Sequence, residues 1–185
     1  GELGDFYMAK NVDVVVIGAG AAGLMCAIEV GRRGRSVLVL DHAAKFAEKI
    51  RISGGGRCNF TNLYTAPENF LSANPHFCKS ALDQYSQFDF IDLVDKHKIA
   101  HHEKKYGQLF CDHSAQNIID MLKAECNKLG VVIRMENQIR MISSRAPGFS
   151  ITTNDTLCYS QSLVIASGGL SIPKIGASGF GYDVA

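Results

Sequence analysis

Apolar and polar positions along this chain follow two rhythms that change at glycines. Asp13 to Ile17 (DVVVI) is a β-branched run that meets glycine at once, the pattern of a strand buried in a parallel sheet. From Ala21 to Arg33 the period lengthens. Leu24, Ala27 and Ile28 recur on one helical face, and Gly34 stands just beyond the end as a stop signal. Ser36 to Leu40 (SVLVL) is a second β-rich run, closed by Asp41. Strand, helix and strand make a βαβ unit, whose crossover is expected to be right-handed.

The middle of the chain is less regular. Residues 60 to 80, rich in Asn, Pro, Ser and Thr, read as loop. Amphipathic spacing predicts helices near Ser80 to Lys98 and Ser114 to Leu129, the second stopping at Gly130. In the first of these, Phe88, Ile91, Leu93 and Val94 read as core. VVIRM from Val131 is a third parallel-strand candidate. Short alternating pieces follow at Ile139 to Ile142, Phe149 to Thr152 and Leu157 to Ser160, separated by APG and NDT, which predicts a small antiparallel meander. Leu163 to Ala166 returns to the buried-strand type and runs into SGG. No internal repeat or low-complexity tract is visible. Residues 1–10 are expected to be an unstructured start, with Met8 a candidate first native residue, and 11–185 one domain. GFGYDVA at the end reads as the first turn of an unfinished helix, so the chain is expected to be the N-terminal portion of a longer protein.

The glycines carry the chemistry. In VVVIGAGAAG, Gly18, Gly20 and Gly23 form a GxGxxG pattern, a weak signal alone. Here it follows a strand, opens a helix and precedes a strand that ends in an acid, which is the context a dinucleotide fingerprint demands. Gly18 permits the tight turn, Gly20 lets backbone approach a pyrophosphate, and Gly23 lets the helix pack closely on the strand. The helix N-terminus offers free N–H groups and a partial positive charge. Asp41 would accept hydrogen bonds from ribose hydroxyls, and an acid there disfavours a 2′-phosphate, so FAD or NAD is favoured over NADP. A tight βα turn without a ligand is the plainer alternative.

SGGGRCNFTN, residues 53 to 62, poses a second question. Three consecutive glycines carry a large backbone-entropy cost, and after the second strand they would present successive N–H groups in a concave nest. Such a nest suits a pyrophosphate or the polar edge of a flavin ring. Lys49 and Arg57 could add charge, and Asn59 has donors and an acceptor for a ring edge or a substrate. A glycine loop with a solvated arginine is the alternative.

KIRISGGGRCNFTN, together with the upstream GAGAAG, resembles the BaiN-type (aminoacetone-oxidase-like) flavoproteins, which are NAD(P)/FAD-dependent oxidoreductases. LVIASGGLSIPKIGASGFGYDVA is similar to that family's second signature, in which a strand end delivers a Gly-Gly turn to the cofactor. The likeness runs from about Asp13 to Ala185. It implies an α/β fold of the glutathione-reductase type: a Rossmann-like FAD/NAD(P)-binding parallel sheet with a small antiparallel β-meander. By position, Gly18, Gly20, Gly23 and Asp41 would hold the ADP half of FAD, and Ala21, Ala22 and His42 are also expected to bind the cofactor. Lys49, Ser53, Gly54, Gly55, Gly56, Arg57, Cys58 and Asn59, with the turn Ser167, Gly168 and Gly169, would line the route from pyrophosphate to flavin. Ile139, opening the meander, sits where such folds present backbone to the adenine. Members of the family are considerably longer, with an inserted substrate domain and a final segment that completes the flavin site, so catalytic residues remain unassigned. In YGQLFC, Cys111 stands where a proline is expected.

Composition narrows the partners. Nineteen basic and eighteen acidic residues in 185 give a net charge of +1, which offers no electrostatic case for nucleic acid or an anionic membrane. A small-molecule substrate is expected. The apolar run from Val14 to Ile28 is interrupted by glycine and lacks a basic leader, so it fits neither a signal peptide nor a membrane span. Cys26, Cys58, Cys78, Cys111, Cys126 and Cys158 contain no CxxC pair, and reduced buried thiols in a cytoplasmic setting are the expectation. Cys58 could be a redox thiol or a flavin attachment point, but it has no near partner and packing is the simpler role. His101 and His102, with Cys111 and His113, lack a second pair at zinc-like spacing, so no metal is expected. The leading expectation is an FAD-dependent oxidoreductase whose flavin exchanges hydride with NAD(P)H or a substrate. The alternatives are an NAD-binding dehydrogenase domain without flavin and an inactive nucleotide-binding portion. The first accounts for the triple glycine, for which a simple NAD domain has no use.

Overall fold

The computed structural model describes residues 9–46, 70–72, 87–103, 109–111, 115–145, 147–166 and 175–176. In chain order these form β1 (Ala9–Ile17), α1 (Ala21–Arg32), β2 (Val37–Leu40), β3 (Phe70–Ser72), α2 (Gln87–Lys96), β4 (His101–Glu103) and β5 (Leu109–Cys111). There follow α3 (Ala115–Lys128), β6 (Val132–Arg134), β7 (Ile139–Arg145), β8 (Gly148–Thr153), β9 (Leu157–Ile165) and β10 (Ile175–Gly176).

The apolar run that opens the chain lies at the centre of a mixed sheet. Its order is β10-β7-β8-β9-β1-β2-β6, with β3 also paired to β9. β1 runs parallel to β2 on one edge and to β9 on the other, with Ile17 opposite both Leu40 and Ile165. β6 adds in parallel to β2, whereas β7, β8 and β9 form an antiparallel meander. β4 and β5 pair separately as a small hairpin.

Both faces of β1 are covered, which explains its unbroken apolar character. Val14 and Val16 pack towards the helices with Leu24, Ile28, Ile118 and Leu122. Val15 and Ile17 pack on the opposite side with Leu38, Leu40, Ile142, Phe149, Ile151 and Leu163. Leu93 and Val94 join the helical side as expected from the α2 stripe. α1 ends where Gly34 takes φ +78°, a left-handed turn that only glycine adopts without strain.

Several expectations need adjustment. β1 begins at Ala9, ahead of the expected Asp13, because its ladder with β9 already pairs Ala9 with Leu157. Residues 70–72 fall in a span expected to be loop, yet they pair antiparallel with β9 residues 162–164. The pieces expected separately at 157–160 and 163–166 are one strand, β9. The polar interruption Ser160, Gln161 and Ser162 disguises a change of surroundings within that strand. Its first half pairs with the meander and its second half with β3.

Candidate functional site

The carboxyl ends of β1 and β2 meet in a loop held by main-chain bonds. Gly18 takes φ 113°, and its N–H donates to the Leu40 carbonyl at 2.8 Å, so the turn after β1 is anchored to the end of β2. Ala166 N–H donates to the Ile17 carbonyl at 2.7 Å, bringing the end of β9 to the same place. At Gly23 an added methyl group would overlap the Gly18 carbonyl, so a bare α-carbon is what lets α1 sit down on the turn.

Gly20 is different. It caps α1 with extended backbone (φ −76°, ψ 180°), and among the described residues no side chain caps the helix and none comes within 4 Å of the position of a Cβ there. The first intrahelical bond runs from Leu24 N–H to the Gly20 carbonyl at 3.0 Å. The N–H groups ahead of it are those that a helix leaves for caps, water or an anion. An open cradle at a positive helix end fits a pyrophosphate.

Asp41 forms the second wall. Its Oδ2 accepts the Ala19 N–H at 2.7 Å and its Oδ1 the Ala43 N–H at 2.9 Å. The carboxylate therefore fastens the glycine loop while keeping acceptor capacity for ribose hydroxyls, since a carboxylate offers about four lone-pair sites. His42, half-exposed, places Nδ1 3.3 Å from Oδ1 of Asp41.

Behind Asp41 runs a strap that sequence reasoning missed. Asp41 N–H donates to the Arg134 carbonyl at 3.1 Å, Asn137 N–H to the Asp41 carbonyl at 2.8 Å, and Glu136 N–H to the Ala43 carbonyl at 3.0 Å. Glu136 turns the strap with φ 56°, a conformation unusual for a residue with a side chain. Asn137 is buried. Its Nδ2 donates to the Met135 carbonyl at 2.9 Å, and its Oδ1 accepts the Thr153 hydroxyl at 2.8 Å. Asn154 braces the outside, donating to the Glu136 carbonyl and accepting the Gln138 N–H. The only signal in the sequence was a pair of polar turns, MENQ and TND, at the ends of expected strands.

Of the residues expected to touch the nucleotide, Gly18, Gly20, Ala21, Ala22, Gly23, Asp41 and His42 lie together at this crevice. Ile139 opens β7 opposite Thr153, just past the strap. Lys49, Ser53, Gly54, Gly55, Gly56, Arg57, Cys58, Asn59, Ser167, Gly168 and Gly169 lie outside the described residues, so convergence of the three glycine loops is not part of this geometry.

Other polar features stand apart. A concavity of about 560 Å³ opens at the opposite ends of the strands, lined by residues including Asn11, Asp13, Ser36, Phe149 and Gln161, and none of the expected site residues among the described ones lines it. Glu125 of α3 is buried and accepts hydrogen bonds from His97 Nε2 at 2.8 Å and Lys96 Nζ at 3.3 Å. Burial alone would raise its pKa, but these two partners outweigh it and hold the carboxyl below its ordinary value. Burial pushes the Cys126 thiol up to about 12, with the Glu125 charge adding to it, and pushes Cys158 up to about 11. Cys26, Cys126 and Cys158 are buried. Among the described residues no cluster of three His, Cys, Asp or Glu could hold a metal, and no helix is long and apolar enough to cross a membrane.

This geometry defines a class, the Rossmann-like FAD-binding domain found in flavoprotein oxidoreductases. The chain belongs to the HI0933-like family: residues 12–185 match the HI0933-like protein Rossmann domain. It is 54% identical over 176 residues to a ribosomal RNA dihydrouridine synthase of Escherichia coli (strain K12), covering 95% of this chain and 44% of that protein. It is 25% identical over 174 residues to a 3-dehydro-bile acid delta(4,6)-reductase of Clostridium scindens, covering 92% of this chain and 42% of that one. The chain thus spans less than half the length of these relatives. The solved glycine oxidase from Geobacillus kaustophilus shares the fold, with TM-score 0.57 at 12% identity over 86% of this chain and 56% of the other.

Proposed function

We propose that the whole protein containing this chain is an FAD-dependent reductase of a carbon–carbon double bond conjugated to a carbonyl, and that its substrate is uridine in ribosomal RNA. The observation that carries the proposal is the 54% identity over 95% of the chain to a ribosomal RNA dihydrouridine synthase. Dihydrouridine is uridine with its C5=C6 bond saturated, and that bond is conjugated to the C4 carbonyl. The bile-acid relative is named for double bonds in an oxo-steroid, which share this electronic pattern. One reaction type therefore spans both names.

The residues divide the work by position. Gly18, Gly20 and Gly23 admit the pyrophosphate to the start of α1, and Asp41 receives the ribose. The loops of residues 53–59 and 167–169, with Lys49, are proposed to line the route to the flavin. FAD, once bound, supplies hydride transfer, with NAD(P)H as the proposed electron donor. The protein's share is to orient the ring and set the charge around it. A cytoplasmic location accords with this chemistry.

A second reading keeps a small conjugated ketone as substrate. The near-neutral charge of this segment favours it, because RNA binding draws most of its affinity from cationic contacts with phosphate. Under the first reading those contacts belong to other parts of the longer protein. The test uses purified full-length protein with FAD and NAD(P)H, offered either ribosomal RNA from a strain lacking the gene or a 3-oxo-Δ4 steroid. Mass spectrometry showing two hydrogens added to one uridine supports the RNA reading. Reduction of the steroid alone supports the second, and reduction of neither overturns the double-bond reading.

A further inference from the structure

We infer that Asn137 and Thr153 are positioning residues for the adenosine end of the nucleotide, acting through Asp41. The inference rests on the reading that the adenosine of FAD lies between Gly18 and Asp41.

The argument begins with the glycine loop. Ala19 N–H is fixed by the Asp41 carboxylate, so the conformation that faces the pyrophosphate depends on where Asp41 stands. Asp41 follows the last residue of β2, and its N–H still donates to the carbonyl of Arg134 at the end of β6. What holds its carbonyl is the strap, through the Asn137 N–H.

The strap is an unfavourable conformation by itself, since Glu136 occupies the left-handed region. Such a turn persists only where its surroundings over-determine it. Asn137 supplies that constraint. Its amide is buried, and both of its ends are satisfied, by the Met135 carbonyl and the Thr153 hydroxyl. The Thr153 oxygen is itself set by accepting the Thr156 N–H at 3.0 Å. A continuous path of short bonds thus runs from the β8–β9 turn, through Asn137, to Asp41 and the glycine loop. The meander is the strut that keeps the ribose-binding carboxylate in place, and a one-atom loss at Thr153 is felt at the far end.

The test uses the full-length protein stripped of flavin and titrated with FAD and, separately, with ADP. Thr153→Val keeps the side-chain shape but removes the hydroxyl, and Asn137→Ala removes the amide. Each is expected to raise the dissociation constants for FAD and ADP together by about tenfold, because one buried hydrogen-bonding group is left unpaired. Thr153→Ser retains the donor and is expected to restore wild-type binding of both. Wild-type affinity in folded Thr153→Val overturns the inference, as does a Thr153→Ser protein as weak as Thr153→Val. Where Asn137→Ala does not fold, the Thr153 pair decides. Asp41→Ala separates the two levels: if it weakens FAD binding while Thr153→Val does not, the inference alone falls. If Asp41→Ala also binds FAD normally, the placement of the adenosine falls with it.

Discussion

Gly20 and Gly23 share one loop, yet a methyl group added at each would meet opposite conditions. At Gly23 it would collide with the Gly18 carbonyl, a backbone atom that cannot move aside. Gly23→Ala is therefore expected to destabilise the protein by about 1–3 kcal/mol, measured by chemical denaturation without flavin. At Gly20 no described residue comes within 4 Å of an added Cβ and the backbone is extended, so a side chain fits among these residues but occupies the approach of a phosphate. Gly20→Val is expected to change apo-protein stability by no more than about 1 kcal/mol while abolishing flavin retention, read from the visible absorbance of the full-length protein. Unchanged flavin content would remove the cofactor from this loop. The buried thiols make a separate prediction at this scale. With pKa values pushed up to about 12 and 11, Cys126 and Cys158 hold almost no thiolate near neutral pH. Both should resist alkylation in the native protein and react only on unfolding, as peptide mapping after labelling would show. The motif residues at this scale were legible in the sequence because the fingerprint is local: glycines, helix and acid all lie within one βαβ unit. Asn137 was not, because its partner Thr153 lies in another turn and each polar cluster reads as ordinary loop.

Among the elements, α2 and α3 are joined by an ionic contact in which only the Glu125 carboxylate is buried. The end of α2 and the residue after it reach Glu125 on α3, with both donors on the same oxygen. A carboxyl whose folded pKa lies below its unfolded value of 4.5 contributes stability that is present above that pH and lost as pH falls through the folded pKa. The wild-type denaturation midpoint should therefore fall on acidification below about 4.5 more steeply than that of Glu125→Gln. At neutral pH the variant is expected to be less stable by about 1.5–3 kcal/mol, the usual worth of a hydrogen bond to a charged group. Both helices were legible from amphipathic spacing, and Gly130 marked the end of α3. β3 was not. Phe70–Ser72 is short, lies in polar sequence and owes its strand conformation to pairing with distant β9. β9 was split for a related reason. Ser160 and Ser162 are buried although polar, and a reading based on hydrophobicity places a boundary there.

At the scale of the whole molecule, the parallel and antiparallel parts form one sheet, so the nucleotide crevice and the meander share a framework. The sequence disclosed the class because the order of apolar runs, glycines and acid is characteristic of one architecture. It did not disclose how the parts are fastened, since those bonds link residues far apart in the chain. β9 has a consequence beyond architecture. It is bonded to β1 along one edge for nearly its whole length, and to β8 and then β3 along the other. No outer layer can peel away without exposing this central pair, so its amide hydrogens should be the last to exchange with deuterated solvent. Proteolytic nicking of the meander should accordingly release no independently folded nucleotide-binding core, because both share the same spine.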